Sequence, residues 1–170
     1  MSLKSINPAT GKLIDEYPEY LDNHVNTIID DVSNDFLIWK DLSFDERKSI
    51  LISIGKKMKS DIHLHSKIIS IEMGKPIVES RAEVLKCVDV IEYFAENSEK
   101  FLEKEIINSD YAESYVQYDP LGIIFGIMPW NFPYWQVFRF IAPSLMAGNV
   151  CVLKHASNVS GCALLIEKLF

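Results

Sequence analysis

The chain has 170 residues, enough for one ordinary domain with a sizeable core, and its 48% apolar and 24% charged residues exclude a disordered chain. Lys and Arg number 17 against 24 Asp and Glu, a formal net charge of −7, which lacks the electrostatic footprint of a duplex nucleic-acid or anionic-membrane binder. Residues 121–170 hold only Arg139, Lys154, Glu167 and Lys168 as charged groups, so this last stretch is built to be covered and the solvated face lies before it.

Ser5–Tyr17 predicts a small hairpin, with Asn7-Pro8-Ala9-Thr10-Gly11-Lys12 as turn chemistry. Asp22–Trp39 predicts a helix, since Val25, Ile28, Ile29, Val32, Phe36 and Trp39 follow the 3.6 period. Ser43 and Glu46 form a capping-box pattern opening a helix with Leu51, Ile54, Met58 and Ile62 on one face. That helix is expected to break near His63–His65, resume to Met73, and stop at Gly74-Lys75-Pro76. A long helix over Ser80–Leu102 carries the stripe Val84, Val88, Ile91, Ala95 and Leu102.

After Asn108 the pattern changes. Ser114–Tyr118 predicts an extended strand, and Gly122–Met128, an unbroken apolar run, predicts a strand buried on both faces. Pro133–Ala147 predicts a helix kinked by Pro143, and Val150–Leu153 a second buried strand. Ser157 or Asn158 is placed to cap a last helix reaching Phe170. Strand, helix, strand, helix in this order predicts two parallel strands joined by a crossover. Ligands of open parallel sheets sit beyond the carboxyl ends of the strands, here residues 129–133 and 154–158.

Few residue patterns announce chemistry. The three cysteines, Cys87, Cys151 and Cys162, have no paired spacing and no zinc pattern, so packing is expected, with Cys162 left open because a helix start can lower a thiol pKa. No metal site is expected. His24, His63 and His65 are expected on helix surfaces, and His155 as a surface or packed residue. Gly122 and Gly126 lack the dinucleotide fingerprint, and Gly74-Lys75 is followed by Pro76 rather than the hydroxyl of a phosphate loop. Pro120–Phe138 is uncharged over 19 residues, yet its prolines and glycines exclude a membrane span. With no charged-then-apolar leader, a cytoplasmic location is expected. Asn131 lies between aromatics in an apolar run. It reads either as an amide donor for a developing oxyanion or as a turn residue bonding local backbone. Lys154 either reaches a ligand in the crevice or emerges into solvent.

Taken together, Pro129-Trp130-Asn131-Phe132-Pro133, Ala147-Gly148-Asn149 and Val152-Leu153-Lys154 resemble the aldehyde dehydrogenase superfamily. Asn7-Pro8-Ala9-Thr10-Gly11 and Glu72-Met73-Gly74-Lys75-Pro76 resemble it in the same order, and the likeness covers essentially the whole chain. Trp135-Gln136-Val137 and Lys154-His155-Ala156 are most similar to bacterial succinate-semialdehyde dehydrogenases. The resemblance implies an α/β fold: the N-terminal part of the aldehyde dehydrogenase fold, with helices packed on an incomplete parallel Rossmann-like sheet and a strand segment from the oligomerisation layer. Residues 1–170 are then a partial cofactor-binding domain: a hairpin over 1–20, a helical part over 21–108, an oligomerisation-type strand over 109–120, and a βαβα cofactor-cleft part over 121–170.

The resemblance also implies roles. Asn131 would hold the thiohemiacetal oxyanion. Ile127, Met128, Pro129, Trp130 and Asn131, with Lys154, His155, Ala156 and Ser157, would line the cleft for NAD or NADP. Many NAD-selective relatives carry a glutamate where Ser157 stands, so NADP is expected to be tolerated. Phe132, Gln136 and Arg139, at i, i+4 and i+7, would share the substrate-facing side of the helix after Asn131, with a buried Arg139 meeting either a substrate carboxylate or an acidic residue of a later segment of the enzyme. The complete enzyme would be a homo-oligomer oxidising a small aldehyde, succinate semialdehyde to succinate. The nucleophilic cysteine and general-base glutamate of the family belong to later segments, so the catalytic domain is absent and activity of this chain alone is not expected. The alternative is a catalytically inactive short chain that binds a full-length relative or serves as a structural module.

Overall fold

The computed structural model describes residues 2–170. The hairpin forms as predicted: β1 (Ser2–Ile6) pairs antiparallel with β2 (Leu13–Pro18), and the Asn7 side chain accepts from the Ala9 and Thr10 amides to hold the turn. Helix α1 (Asp22–Trp39) follows, buries none of its residues fully, and is anchored where the Trp39 indole N–H donates to the Leu145 carbonyl at 2.9 Å. Helix α2 (Phe44–Ser60) opens with the expected reciprocal cap between Ser43 and Glu46. The break comes at Asp61, a little before the histidines, and α3 (Ile62–Met73) ends on Gly74 at φ +84°, a left-handed conformation that favours glycine. Helix α4 (Ile77–Phe101) starts directly after Pro76, three residues earlier than its periodicity indicates.

An exposed hairpin with two residues in each strand follows. Strand β3 (Glu105–Ile106) pairs antiparallel with β4 (Tyr115–Val116); the apolar pattern suggests only the second, and over more residues. Strand β5 (Ile123–Met128) pairs in parallel with β6 (Val150–His155), from Ile123 opposite Val150 to Met128 opposite His155. Between them runs α5 (Trp135–Met146), with Pro143 inside it. A single 3₁₀ turn (Ser157–Val159) leads into α6 (Ser160–Glu167), so the last helix starts later and is shorter than expected.

The expectation that β5 is buried on both faces is corrected. Gly126 faces α5, where a Cβ would stand 2.6 Å from the Phe140 ring, while Ile123, Phe125 and Ile127 alternate to the other side and are exposed. A two-stranded sheet with α5 on one face leaves the other face of β5 open. The core instead lies among helices. Leu51 and Met58 of α2, Val84 and Ile91 of α4, and Val137 and Phe138 of α5 are all buried in one cluster, which α3 and α6 close.

Candidate functional site

The two parallel strands end together, Met128 opposite His155, so the 129–134 loop and the 154–159 segment leave the sheet at the same edge, where the topology puts the expected crevice. What holds them there is a set of buried polar groups from the helical layer. Glu83 of α4 is 4% exposed, and its Oε1 accepts from the amides of Tyr134 and Trp135 at 2.9 and 3.0 Å. Its Oε2 pairs with the buried Lys75 ammonium. That ammonium also lies 3.7 Å from the centre of the Phe132 ring. One carboxylate thus caps the start of α5 and fixes the cation that grips the preceding loop.

Glu72 of α3 does the same for the second strand's loop. It is 2% exposed; its Oε1 accepts from the Gly161 amide at 3.0 Å and from the Ser5 hydroxyl at 2.6 Å, and its Oε2 from the Cys162 amide at 2.8 Å. The cap of α6 therefore comes from 89 residues away in the chain, not from Ser157 or Asn158, whose side chains make no capping bond. Asn149 sets the entrance of the first strand, its Oδ1 accepting from the Leu121 and Gly122 amides at 2.7 and 3.1 Å.

The residues singled out by sequence fall into two groups. Asn131, Lys154, Ser157 and Arg139 are exposed, Gln136 is half-buried, and among the described residues the side chains of none of them make a hydrogen bond or ion pair within the chain. The reading of Asn131 as a turn residue bonding local backbone therefore finds no such bond. Ile127 faces away from α5 and lies in register with Lys154; Met128 is half-buried, and Pro129 and Trp130 stand exposed on the loop. Two geometric premises are corrected. Helix α5 begins at Trp135, so Phe132 precedes it, although the Phe132 carbonyl accepts from the Gln136 amide and keeps the turn continuous. Arg139 is exposed rather than buried, because Val137, Phe138 and Ile141 take the core side of α5.

The second group is buried. His155 is 9% exposed, and both its ring nitrogens are engaged: Nε2–H donates to the Pro133 carbonyl and Nδ1 accepts from the Ala156 amide, each at 2.8 Å. Ala156, half-buried, contributes its amide to that contact. His65 is also buried, not on a helix surface; its Nδ1 lies 2.8 Å from the buried Tyr134 hydroxyl. Burial pushes both imidazoles below their ordinary pKa, and burial pushes the Tyr134 phenol up. The cysteines are packed thiols. Burial, with Glu72 adding, pushes Cys162 well above the thiol range despite its place at a helix start, and burial raises Cys87 likewise and Cys151 to about 11. Among the described residues no group of three or more His, Cys, Asp or Glu could hold a metal ion, and no helix is long and apolar enough to cross a membrane.

Sequence reasoning missed the positioning groups Glu72, Glu83, Lys75 and Asn149. Glu83 had a signal: it lies on the core stripe of α4, one residue before Val84, where an unpaired carboxylate would be untenable.

The model of the aldehyde dehydrogenase family matches residues 1–170. A probable succinate-semialdehyde dehydrogenase [NADP(+)] of Synechocystis sp. is 41% identical over all of this chain and 37% of its own length. The succinate semialdehyde dehydrogenase [NAD(P)+] Sad of Escherichia coli is 39% identical, covering 98% of this chain and 36% of its own. Among solved structures, the succinic semialdehyde dehydrogenase from Streptococcus pyogenes in complex with NADP+ superposes with a TM-score of 0.94 at 28% identity, over 98% of this chain and 37% of that one. The chain thus spans little more than a third of the relatives it matches.

Proposed function

The chain belongs to the aldehyde dehydrogenase family, and from that premise we propose that it is the part of an NAD(P)-dependent dehydrogenase that carries the cofactor crevice and the oxyanion donor, the whole protein oxidising succinate semialdehyde. The observation that carries this reading is the free amide of Asn131. It stands exposed three residues past the end of β5, with no partner among the described residues, on a loop that Glu83 and Lys75 hold. An amide committed to no group of the chain, on a loop anchored at Phe132, Tyr134 and Trp135, suits a donor kept for a negative charge that appears only during reaction.

The donor set also fits a nicotinamide dinucleotide. Ile127, Met128, Pro129 and Trp130 give one wall an apolar surface, while Lys154 and Ser157 offer an unpaired ammonium and hydroxyl on the other. Lys154 would bind the adenosine ribose or a phosphate on it, and Ser157 presents no carboxylate to repel a 2′-phosphate. The cofactor supplies the hydride acceptor when bound. His155 and Ala156 would border the crevice by shape alone, since the His155 ring is engaged with the Pro133 carbonyl and the Ala156 amide, and the Ala156 carbonyl accepts from the Val159 amide. Phe132, Gln136 and Arg139 would face the aldehyde, and the exposed, unpaired Arg139 guanidinium suits a substrate carboxylate. The exposed β3–β4 hairpin would belong to the layer used for self-association, in a protein working in the cytoplasm. No feature of the structure favours the alternative of an inactive partner or structural module.

Asn131→Ala in the whole enzyme tests the reading. It should lower kcat by about a hundredfold or more, some 3 kcal/mol, with little change in cofactor affinity. An unchanged kcat assigns Asn131 to the loop alone. Arg139→Leu should raise KM for succinate semialdehyde and spare an uncharged aldehyde of similar length, and Ser157→Glu should shift preference toward NAD+; equal effects on both substrates, or an unmoved cofactor ratio, refute each assignment.

A further inference from the structure

His155 ends β6 with its ring turned inward, opposite Met128 in the parallel register. A carbonyl oxygen only accepts and an amide N–H only donates, so the two contacts admit a single state of the ring: neutral, protonated at Nε2. The carbonyl belongs to Pro133, in the loop after β5. The amide belongs to Ala156, the first residue after β6. Among the described residues no backbone hydrogen bond joins the 129–134 loop to the 156–159 segment, so beyond the last paired residues this side chain is the polar link between them.

We infer that His155 is a positioning residue: as neutral imidazole it sets the separation between the loop bearing Asn131 and the segment bearing Ser157. The inference rests on the reading of that gap as the cofactor crevice. Lys154 and His155 divide the work of the strand end, one side chain exposed and unpaired, the next buried and committed. A second proton must go to Nδ1, where it would confront the Ala156 N–H and open that half of the link. The surroundings oppose this on balance. Burial disfavours the proton most, and Lys154 adds to it; the Pro133 carbonyl, Glu72 of α3 and Glu83 of α4 favour it. Lys75 sits on Glu83 and offsets that carboxylate. His65, under Tyr134, is the neighbouring imidazole on α3.

The test uses the full 170-residue chain, without cofactor, by NMR of the ring nitrogens of His155 and His65, the Ala156 amide and the Trp130 indole across an acid titration. The expected result is a neutral Nε2–H ring near neutrality. Its midpoint should fall below the ordinary value of about 6.5, with the Ala156 and Trp130 signals moving at that same midpoint and not at that of His65. His155→Gln, whose amide can donate at the reach of Nε2, should keep Trp130 near its neutral position and abolish the step; His155→Leu should displace it at every pH. An ordinary midpoint with unmoved Ala156 and Trp130 signals overturns the inference, and so does a Gln variant that retains the step. Should the Leu variant fail to fold, the wild-type titration and the Gln variant decide. NADP+ added at neutral pH reports separately on the crevice: absence of shifts at Ala156 and Trp130, with the acid step intact, counts against the cofactor reading and leaves the link standing.

Discussion

Glu72→Ala should be among the most damaging single substitutions in this chain. The side chain is 2% exposed and accepts three hydrogen bonds, from the Gly161 and Cys162 amides and the Ser5 hydroxyl. Alanine leaves two helix-terminal N–H groups buried without acceptors, at about 1–3 kcal/mol each, and strands a hydroxyl worth about 1 kcal/mol more. The expected loss is about 3–7 kcal/mol, a large share of the ~5–15 kcal/mol that holds a domain together. Glu72→Gln preserves volume and one acceptor oxygen, so about half that loss is expected. Urea unfolding measures both, as a fall in midpoint at constant slope. Ser5→Ala should lose much of its effect in the Glu72→Ala background, since the two share one bond. A loss below about 1 kcal/mol for the alanine variant would refute the argument, because water or a shifted side chain would then be replacing the cap.

Two further outcomes follow from the same buried groups. Lys75→Met should cost about 3–5 kcal/mol by leaving the Glu83 carboxylate buried with no counter-charge, and Lys75→Met combined with Glu83→Gln should recover part of it; a double variant no better than the single one refutes the pairing. Acidification should destabilise the chain through His65 and His155. Burial lowers both folded pKa values, so the unfolded chain takes up protons first, and their stabilisation is complete above about pH 6.5 and lost as the pH falls through the lowered folded values. A urea midpoint that stays flat between neutrality and the carboxylate range would show that neither ring is held neutral.

The amino-acid sequence by itself determined the local elements. Helix α1 has the predicted bounds because its apolar spacing repeats over eighteen residues, and α2 starts at its capping box because both partners lie within four residues of each other. The order of strand, helix, strand placed the ends of the two parallel strands side by side, and the Pro129–Pro133 and Lys154–Ser157 residues of the proposed crevice were named from topology and resemblance together. Tertiary structure decided the rest. The apolar run of β5 could not show that only one of its faces would be covered, since that depends on how many strands and helices surround it. Helix α6 looked self-capped by Ser157 or Asn158, yet its amides point at a carboxylate 89 residues earlier, and α5 takes its cap from 51 residues earlier. Such pairings are set by packing of helices against one another, and no spacing in the chain encodes them. His155 shows the same limit within three letters: Lys154-His155-Ala156 marks a strand end, but the alternation of the pleat and the nearness of Pro133 decide which side chain stays exposed and which one turns inward to bond the loop after β5.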